Sequence, residues 1–351
     1  MFDSNLKSLC VLRLTALGDC INAFGLIGAL RQTRPELELC WIIDERFASL
    51  FRDARGQDLV ELIPVSFKKH SLPRVIWQLR HTLKTRHFDA LLNLQTSIKA
   101  SLCSLAVRAP LKLGYDAQRA REGQSLFTNL KVPSPRSPHV LAGFMAFAQC
   151  LGQGELTPYW DFKLSQGELD DIKTQLPAQR LFTIAPCSAK AVKNWTADGY
   201  AALAQYALQR GFAVILCGSN AEHEREMCHK INYQCANNCL DLCGKTNLRQ
   251  LAALLKLSSL VLSPDSAAMH LASALGTPVI GLFAIHNPQR VGPWKFMDLN
   301  VSVYEQQSRL ELGDKGIPWR YRVKNEQAMQ LINPEQVKNA FDLACRKYLD
   351  L

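Results

Sequence analysis

The sequence has no long hydrophobic run: no segment approaches the roughly 18 consecutive apolar residues that a membrane-spanning helix needs. The N-terminus lacks the basic-then-apolar order of a secretory signal. There is no Gly-x-Gly-x-x-Gly after a strand-like segment, no P-loop and no Gly-x-Ser-x-Gly elbow. These absences disfavour a membrane-spanning protein, a dehydrogenase of the usual dinucleotide type and a P-loop NTPase. We expect a cytoplasmic protein.

Cysteine pairs at metal-binding spacing are also missing, although the chain has 12 cysteines. Zinc-binding pairs usually have two residues between them. Cys235, Cys239 and Cys243, with Cys228 and His229 nearby, have gaps of three. Most of the others occur in apolar runs, where a free thiol behaves as a small hydrophobic group. We expect buried thiols and no metal site.

Acidic residues are in deficit: the formal net charge is +10 and the pI is near 9.0. This excess favours an acidic partner, such as nucleic acid, an anionic membrane surface or a phosphorylated substrate. No stripe of aromatic residues interleaved with Arg and Lys supports nucleic acid. A basic surface without a specific role is the alternative. Basic residues recur in the N-terminal half, among them Lys68, Lys69, Arg74, Arg80, Lys84, Arg86, Lys99, Arg108, Lys112, Arg119, Arg121 and Lys131.

Strand-like and helix-like segments alternate through most of the chain, which indicates an α/β fold with parallel sheets and right-handed crossovers. We predict two doubly wound domains, over residues 1–160 and 161–332, that face one another across a cleft. Residues 130–140 are rich in Pro and Ser, which indicates a loop. A helix is predicted over 333–351, and we expect its apolar stripe to pack back on the first domain. That stripe comprises Val337, Phe341, Ala344 and Tyr348.

Polar residues follow several predicted strands, and ligands of doubly wound sheets bind beyond the carboxyl ends of the strands. In LRLTALGDCINA (12–23), Asp19 follows the first strand where a helix begins. A helix N-terminus favours anions. Asp19 therefore either caps the helix or has a separate role.

The stretch SPDSAAMH (263–270) has the same arrangement in the second domain. Asp265 and Ser266 open a helix, with His270 on the same face as Ser266. The small Ala267 lets a ligand approach the backbone, whose free amides suit a diphosphate. Asp265 can accept hydrogen bonds from sugar hydroxyls. The alternative is that Asp265 or Ser266 is a plain N-cap.

Two further strand ends carry candidate donor-binding residues. Ser188 and Lys193 follow one strand and suit a diphosphate, since lysine binds phosphate as a point charge. Glu222 follows the next strand, where acidic residues of nucleotide folds bind a ribose diol. The alternatives are a solvated loop lysine and a first-turn acid that favours the helix dipole.

Taken together, these segments resemble those of the lipopolysaccharide heptosyltransferases of glycosyltransferase family nine. The similarity follows the family's order and spacing, and the 265–278 motif is the most specific. Ala267 and Ala284 stand where the family commonly has glycine, and residues 305–325 match no family segment. The similar segments are Leu14 to Asp19, QTSIKASL (95–102), DAQRARE (116–122), KNW (193–195), GSNAEHE (218–224), DSAAMHLASALGTP (265–278) and NPQRVGPW (287–294).

The resemblance implies a GT-B fold with the acceptor bound in the first domain and the donor in the second. It implies inverting transfer of heptose from ADP-heptose to the lipid A–Kdo inner core at the inner face of the cytoplasmic membrane. No metal or cofactor is implied, because the ADP-sugar is a substrate. It also implies roles for matching residues: Asp19 as base, Lys193 on the diphosphate, Glu222 on the ribose, Asp265, Ser266 and His270 in the donor loop, and Lys99 and Arg121 on the acceptor side.

Three alternatives stay open at this point. The donor could be another nucleotide sugar. The chain could be a non-catalytic protein that binds a nucleotide sugar or nucleic acid. It could also be a nucleotide-sugar epimerase of the same architecture. Peripheral contact with the membrane is compatible with the transferase hypothesis.

Overall fold

The computed structural model describes residues 6–351. The chain divides into two compact units, one that ends at Lys163 and one that spans Leu164–Leu351. This boundary lies three residues after the one predicted from the sequence, between residues 160 and 161. Within the described residues each unit contains one six-stranded sheet.

The first unit is a doubly wound sheet with order β3-β2-β1-β4-β5-β6, and its paired strands are all parallel. The order reverses between β1 and β4. Strands β1 to β6 are Ser8–Leu12, Glu38–Asp44, Glu61–Val65, Ala90–Asn93, Leu111–Tyr115 and Leu130–Val132. Helices α1 to α5 are Leu17–Thr33, Glu45–Ala48, Leu72–Thr82, Ile98–Cys103 and Val140–Cys150.

The second unit repeats this topology, with order β12-β11-β10-β7-β8-β9 and parallel pairing. Its order reverses between β7 and β10. Strands β7 to β12 are Leu181–Ile184, Ala213–Leu216, Leu240–Asp241, Leu260–Pro264, Val279–Phe283 and Val301–Ser302. Helices α6 to α13 are Gln166–Lys173, Ala197–Gln209, Glu222–Gln234, Leu248–Leu257, Ala267–Leu275, Pro288–Val291, Tyr304–Leu312 and Pro334–Tyr348.

The central strands are apolar on both faces because helices cover both sides of each sheet. In the first unit, Cys10 and Leu12 of β1 belong to a buried cluster with Val75 and Leu79 of α3. The strand ends are therefore the places where this sheet presents polar side chains.

Two expectations need correction. Residues 130–140 are not all loop, because Leu130 pairs with Leu113 of β5 and forms an edge strand. The apolar stripe of α13, expected on the first domain, is buried within its own unit. Phe341 lies 5.2 Å from both Phe182 and Phe212, between ring centroids. The rings of Phe182 and Phe212 form an apolar surface on the second unit, and the apolar stripe of α13 packs against this surface.

The segment 305–325, unassigned from the sequence, forms α12 and a return loop beside β11. The backbone N–H of Val323 donates to Ile285 O at 3.1 Å. The Trp319 ring lies under two guanidinium groups, with 4.8 Å to Arg290 and 5.0 Å to Arg320. This loop adds basic residues next to the end of β11.

None of the described helices is long and apolar enough to cross a bilayer. All 12 cysteines are free thiols and most are buried. Burial raises the pKa of the Cys20 and Cys217 thiols. Their apolar surroundings agree with the packing role predicted for them.

Candidate active site

The β1–α1 junction places Asp19 in the first turn of a helix rather than at its cap. Helix α1 begins at Leu17, with Ala16 as N-cap and no side chain capping it. The interpretation of Asp19 as an N-cap is therefore wrong. Its carboxylate is instead ion-paired with Arg13, and about a third of the Asp19 side chain is exposed. The group is thus held in place and still accessible.

Arg13 is a site residue that the sequence analysis missed. Its side chain is only 12% exposed. One guanidinium nitrogen donates to Leu94 O at 2.6 Å, and the guanidinium lies 5.5 Å from the Phe144 ring centroid. The sequence did contain a signal for Arg13, because this residue directly follows a buried strand, where site residues of doubly wound sheets lie. The partner of Arg13 could only be found from the fold.

Gln95 joins the ends of the two strands at this reversal. It follows β4, and its side-chain oxygen accepts from the backbone N–H groups of Leu14 at 2.8 Å and Thr15 at 3.0 Å. These bonds fix the loop that leads into α1. The segment containing Gln95 was recognised from the sequence, but its structural role was not.

The two predicted acceptor-side residues lie on segments that the structure joins. Lys99 is on α4, and Arg121 is on the loop that follows β5; both are exposed. The carboxylate of Glu122 accepts from Ile98 N at 2.8 Å, which connects that loop to the start of α4. Two exposed cations are therefore presented by one connected surface of the first unit, and their acceptor role stays a prediction.

In the second unit, Asp265 and Lys193 meet at the order reversal. Lys193 follows β7, Asp265 follows β10, and these strands are neighbours. The Lys193 ammonium donates to Asp265 O at 2.5 Å and to its carboxylate at 3.1 Å. Both side chains are less than 15% exposed. From the sequence these residues were predicted to bind different parts of the donor, whereas the structure pairs them with each other.

Two histidines complete this cluster. His286, which the sequence analysis missed, has Nδ1 2.7 Å from the Asp265 carboxylate. His270 has Nε2 3.9 Å from the other oxygen. Burial alone would raise the pKa of Asp265, but the hydrogen bond with His286 and the charges of Lys193 and His270 hold it well below its usual range. Asp265 is therefore an ionised anchor for basic groups.

Ser266 is the N-cap of α10, and its role in binding the donor stays a prediction. Its hydroxyl accepts from Met269 N at 3.4 Å and lies 2.7 Å from the Ser263 hydroxyl. Ala267 is the first helical residue. First-turn amides have no partner within their helix. The start of α10 therefore brings first-turn amides close to the Lys193 ammonium, whose counter-ion here is Asp265, and helix-start amides together with a cation suit an anion.

The remaining predicted donor residues differ in setting. Ser188 is buried, and its hydroxyl donates to Lys190 O at 2.9 Å, so it stabilises its own loop. Glu222 is exposed at the start of α8. Glu224, two residues later, accepts from Ser219 N at 2.7 Å, in the turn that follows β8. The donor roles of Ser188 and Glu222 stay predictions.

Comparison with known proteins identifies the family. The model of glycosyltransferase family 9 (heptosyltransferase) matches residues 76–315. The lipopolysaccharide core heptosyltransferase OpsX of Haemophilus influenzae is 40% identical over 340 residues, which cover 96% of each chain. The chain belongs to glycosyltransferase family 9. Lipopolysaccharide heptosyltransferase 1 of Escherichia coli K12 is a more distant relative, 23% identical over 80% of this chain and 89% of that protein.

Solved structures support the GT-B fold of this family 9 glycosyltransferase. The family 9 glycosyltransferase of Veillonella parvula aligns with a TM-score of 0.77 at 21% identity and covers 97% of both chains. The E. coli heptosyltransferase WaaC with ADP aligns with a TM-score of 0.72 at 20% identity, over 96% of this chain and 99% of that one.

The chain is therefore an enzyme that transfers a glycosyl group. In residues 6–351 of this family 9 enzyme, no three His, Cys, Asp or Glu side chains are grouped in a way that could hold a metal ion.

The Asp265 cluster generates a prediction about stability and pH. Asp265→Asn removes the counter-charge of Lys193 and the carboxylate beside His286, and we expect a loss of about 3 kcal/mol in the free energy of unfolding at pH 7. The folded pKa of Asp265 lies below the ordinary value of 3.8. Its stabilisation is thus complete above about pH 5, declines as the pH falls below the ordinary value, and is fully lost only when the pH passes through the lower folded pKa. Urea unfolding of both proteins between pH 3 and 7, on the order of one-unit steps, measures this difference.

Asp170→Asn serves as the control, because Asp170 is exposed on α6 of the same unit. We expect it to change stability by less than about 0.5 kcal/mol at every pH. A difference between wild type and Asp265→Asn that does not shrink on acidification would contradict the assignment.

Proposed function

We propose that this chain transfers heptose from ADP-heptose to the inner core of lipopolysaccharide, with inversion at the anomeric carbon and without a metal or cofactor. Family membership supports the reaction class. The 40% identical relative is a lipopolysaccharide core heptosyltransferase, which supports the acceptor. ADP is present in the structure of WaaC, which supports the nucleotide.

One observation carries the mechanism: each unit presents, at its own order reversal, groups suited to one half of a glycosyl transfer. The first unit presents the accessible carboxylate of Asp19, held by Arg13. The second presents Lys193 and the first turn of α10. A base and a site for a departing anion are what a metal-free displacement requires.

The proposed step is a single displacement. Asp19 accepts the proton of the acceptor hydroxyl as that oxygen forms a bond to the anomeric carbon of heptose. The bond from this carbon to the phosphate oxygen breaks, and its electron pair leaves with ADP. Lys193 and the amides at the start of α10 stabilise the charge that develops on the diphosphate. One displacement from the opposite face inverts the anomeric configuration.

The Asp265 cluster has a positioning role in this proposal. Asp265 binds Lys193 through its carboxylate and its backbone oxygen, which restricts the lysine to the end of β10. A lysine that is already ordered loses less conformational entropy when it binds a phosphate. Asp265, Ser266 and Ala267 then line the donor site, with His270 on the same helix.

The acceptor is proposed to bind the first unit, whose exposed cations Lys99 and Arg121 suit the acidic Kdo sugars and lipid A phosphates. The net charge of +10 supports an acidic substrate. We place the enzyme in the cytoplasm, where the acceptor is reached at the inner face of the membrane by peripheral contact. Nucleic acid is not a proposed partner.

Asp19→Asn tests the base. We expect the rate of ADP-heptose turnover with deacylated core to fall roughly 10²- to 10⁴-fold, because the amide cannot accept the proton. ADP affinity, measured by calorimetry, stays within about twofold of wild type. Glu38→Gln, an exposed carboxylate at the start of β2, is the matched control and keeps wild-type turnover.

A loss of about tenfold or less in Asp19→Asn would remove Asp19 from the role of base. The same assay with ADP-glucose and ADP-mannose tests the donor. Turnover of either sugar above that of ADP-heptose would support the alternative of another nucleotide-sugar donor.

Arg13 is proposed as a positioning residue for Asp19. Arg13→Gln removes the ion pair, and we expect kcat to fall roughly 10- to 100-fold while KM for both substrates stays within about twofold. Arg13→Lys keeps a charge next to Asp19 and recovers most of the loss. Arg46→Gln, an exposed arginine of the same unit, is the control. Equal kcat values for the glutamine variant and wild type would rule out this role.

A further inference from the structure

One stretch of the first unit is free of acidic residues. Between Glu61 and Asp89 the sequence contains no Asp or Glu. Any anionic partner would therefore meet no repelling carboxylate from this stretch itself. The same stretch holds many of the unit's basic residues: Lys68, Lys69, Arg74, Arg80, Lys84 and Arg86, with His70, His81 and His87.

Helix α3 lies in this stretch and is amphipathic in an unusual way. Val75 and Leu79 are fully buried against the sheet. On the outer side, the Trp77 side chain is 54% exposed, although a tryptophan could contribute much more stability from inside the core. The Trp77 ring thus lies outside the core, where it is available for a contact with another molecule.

Basic groups surround the exposed ring. The guanidinium of Arg74 lies 4.5 Å from the Trp77 ring centroid, and the His81 ring stacks on Trp77 at 5.7 Å. Arg80 is exposed on the same helix and Lys68 just before it; Lys69 is also exposed and is ion-paired with Glu45. We call the set of Lys68, Lys69, Arg74, Trp77 and Arg80 the α3 surface.

The segments packed against α3 add exposed apolar side chains. Helix α4 and the turn at residues 104–106 both contact α3. Ile98 at the start of α4 is 41% exposed, and Leu105 in the turn is 48% exposed. Exposed apolar groups next to cations are typical of surfaces that contact lipid.

We propose that the α3 surface docks this enzyme on an anionic lipid bilayer. Tryptophan has an apolar body and a polar N–H, and it favours the interface between lipid and water. Each cation near an anionic bilayer contributes further attraction. The basic residues of the α3 surface complement anionic headgroups, and the exposed Trp77 ring suits the lipid–water interface, so an anionic bilayer is favoured over a neutral partner.

The location of the α3 surface also fits the proposed function, and this part of the inference rests on that proposal. Helix α3 follows β3, and the carboxyl ends of parallel strands share one edge, so α3 starts at the same edge of the sheet as Asp19. The ammonium of Lys99 lies 5.8 Å from the ring of Phe67, which precedes Lys68. Docking through α3 would bring the acceptor side of the first unit to the membrane that carries a lipid-linked acceptor.

Vesicle flotation with the full chain tests the proposal without donor or acceptor. Vesicles of phosphatidylcholine alone are compared with vesicles containing about a third phosphatidylglycerol, an anionic content that attracts basic surfaces. We expect wild type to float only with the anionic vesicles and to bind more weakly as salt is raised. Trp77→Ala reduces the partition coefficient about tenfold, and Arg74→Gln/Arg80→Gln reduces it about 25-fold.

Two controls come from the second unit. Tyr233→Ala removes an exposed ring that is 72% accessible, and Arg309→Gln removes an exposed arginine of α12. Both should bind vesicles as wild type does. All four variants change exposed residues, so melting temperatures within a few degrees of wild type are expected.

Failure of anionic vesicles to bind wild type overturns the proposal. So does a Trp77→Ala variant that binds as tightly as wild type, or binding that requires lipopolysaccharide acceptor in the vesicles. Vesicle binding together with absence of heptose transfer would leave this inference intact and contradict only the proposed function.

Discussion

The candidate site depends on one constraint: all paired strands of both sheets run parallel, in an order that reverses once. Parallel strands end at a common edge, and at the reversal the neighbouring connections diverge to opposite faces and leave a crevice. Asp19 follows a strand at the first reversal, and Lys193 and Asp265 follow the two strands at the second. Groups distant in sequence become neighbours for this reason.

Electrostatic pairing then distinguishes the two carboxylates at these reversals. Asp19 has a single arginine partner and is about a third exposed, so a substrate hydroxyl can reach it. Asp265 is more enclosed and interacts with Lys193, His270 and His286. An enclosed carboxylate with several basic partners stays ionised and orders its neighbours. Residues of the same type are therefore suited to different tasks by their surroundings.

Local patterns were enough to predict much of this arrangement. Helix α10 begins directly after Asp265 and Ser266, as predicted, because a serine cap is a local signal. Because ligands of doubly wound sheets bind beyond the carboxyl ends of the strands, Asp19, Lys193 and Asp265 could be predicted as candidate site residues. Arg13 and His286 escaped because their importance lies in a partner that only the fold supplies.

Tertiary context also explains the remaining differences. The stripe of α13 was visible in the sequence, but its partners Phe182 and Phe212 are distant in the chain. An amphipathic pattern shows that a face must be buried and does not show against what. Likewise, the basic charge favoured an acidic partner without saying where it would bind, whereas the exposure of Trp77 became visible only in the fold.

The stereochemistry of transfer is the most direct test of a single displacement at the anomeric carbon. ADP-heptose labelled with ¹³C at the anomeric carbon is incubated with the enzyme and deacylated core, and the anomeric one-bond C–H coupling of the product is measured by NMR. A single displacement by the acceptor hydroxyl predicts a glycosidic product of configuration opposite to the donor, with one ADP released for each bond formed. Retention of configuration, or ADP release without a glycosidic product, would contradict a single displacement by the acceptor hydroxyl.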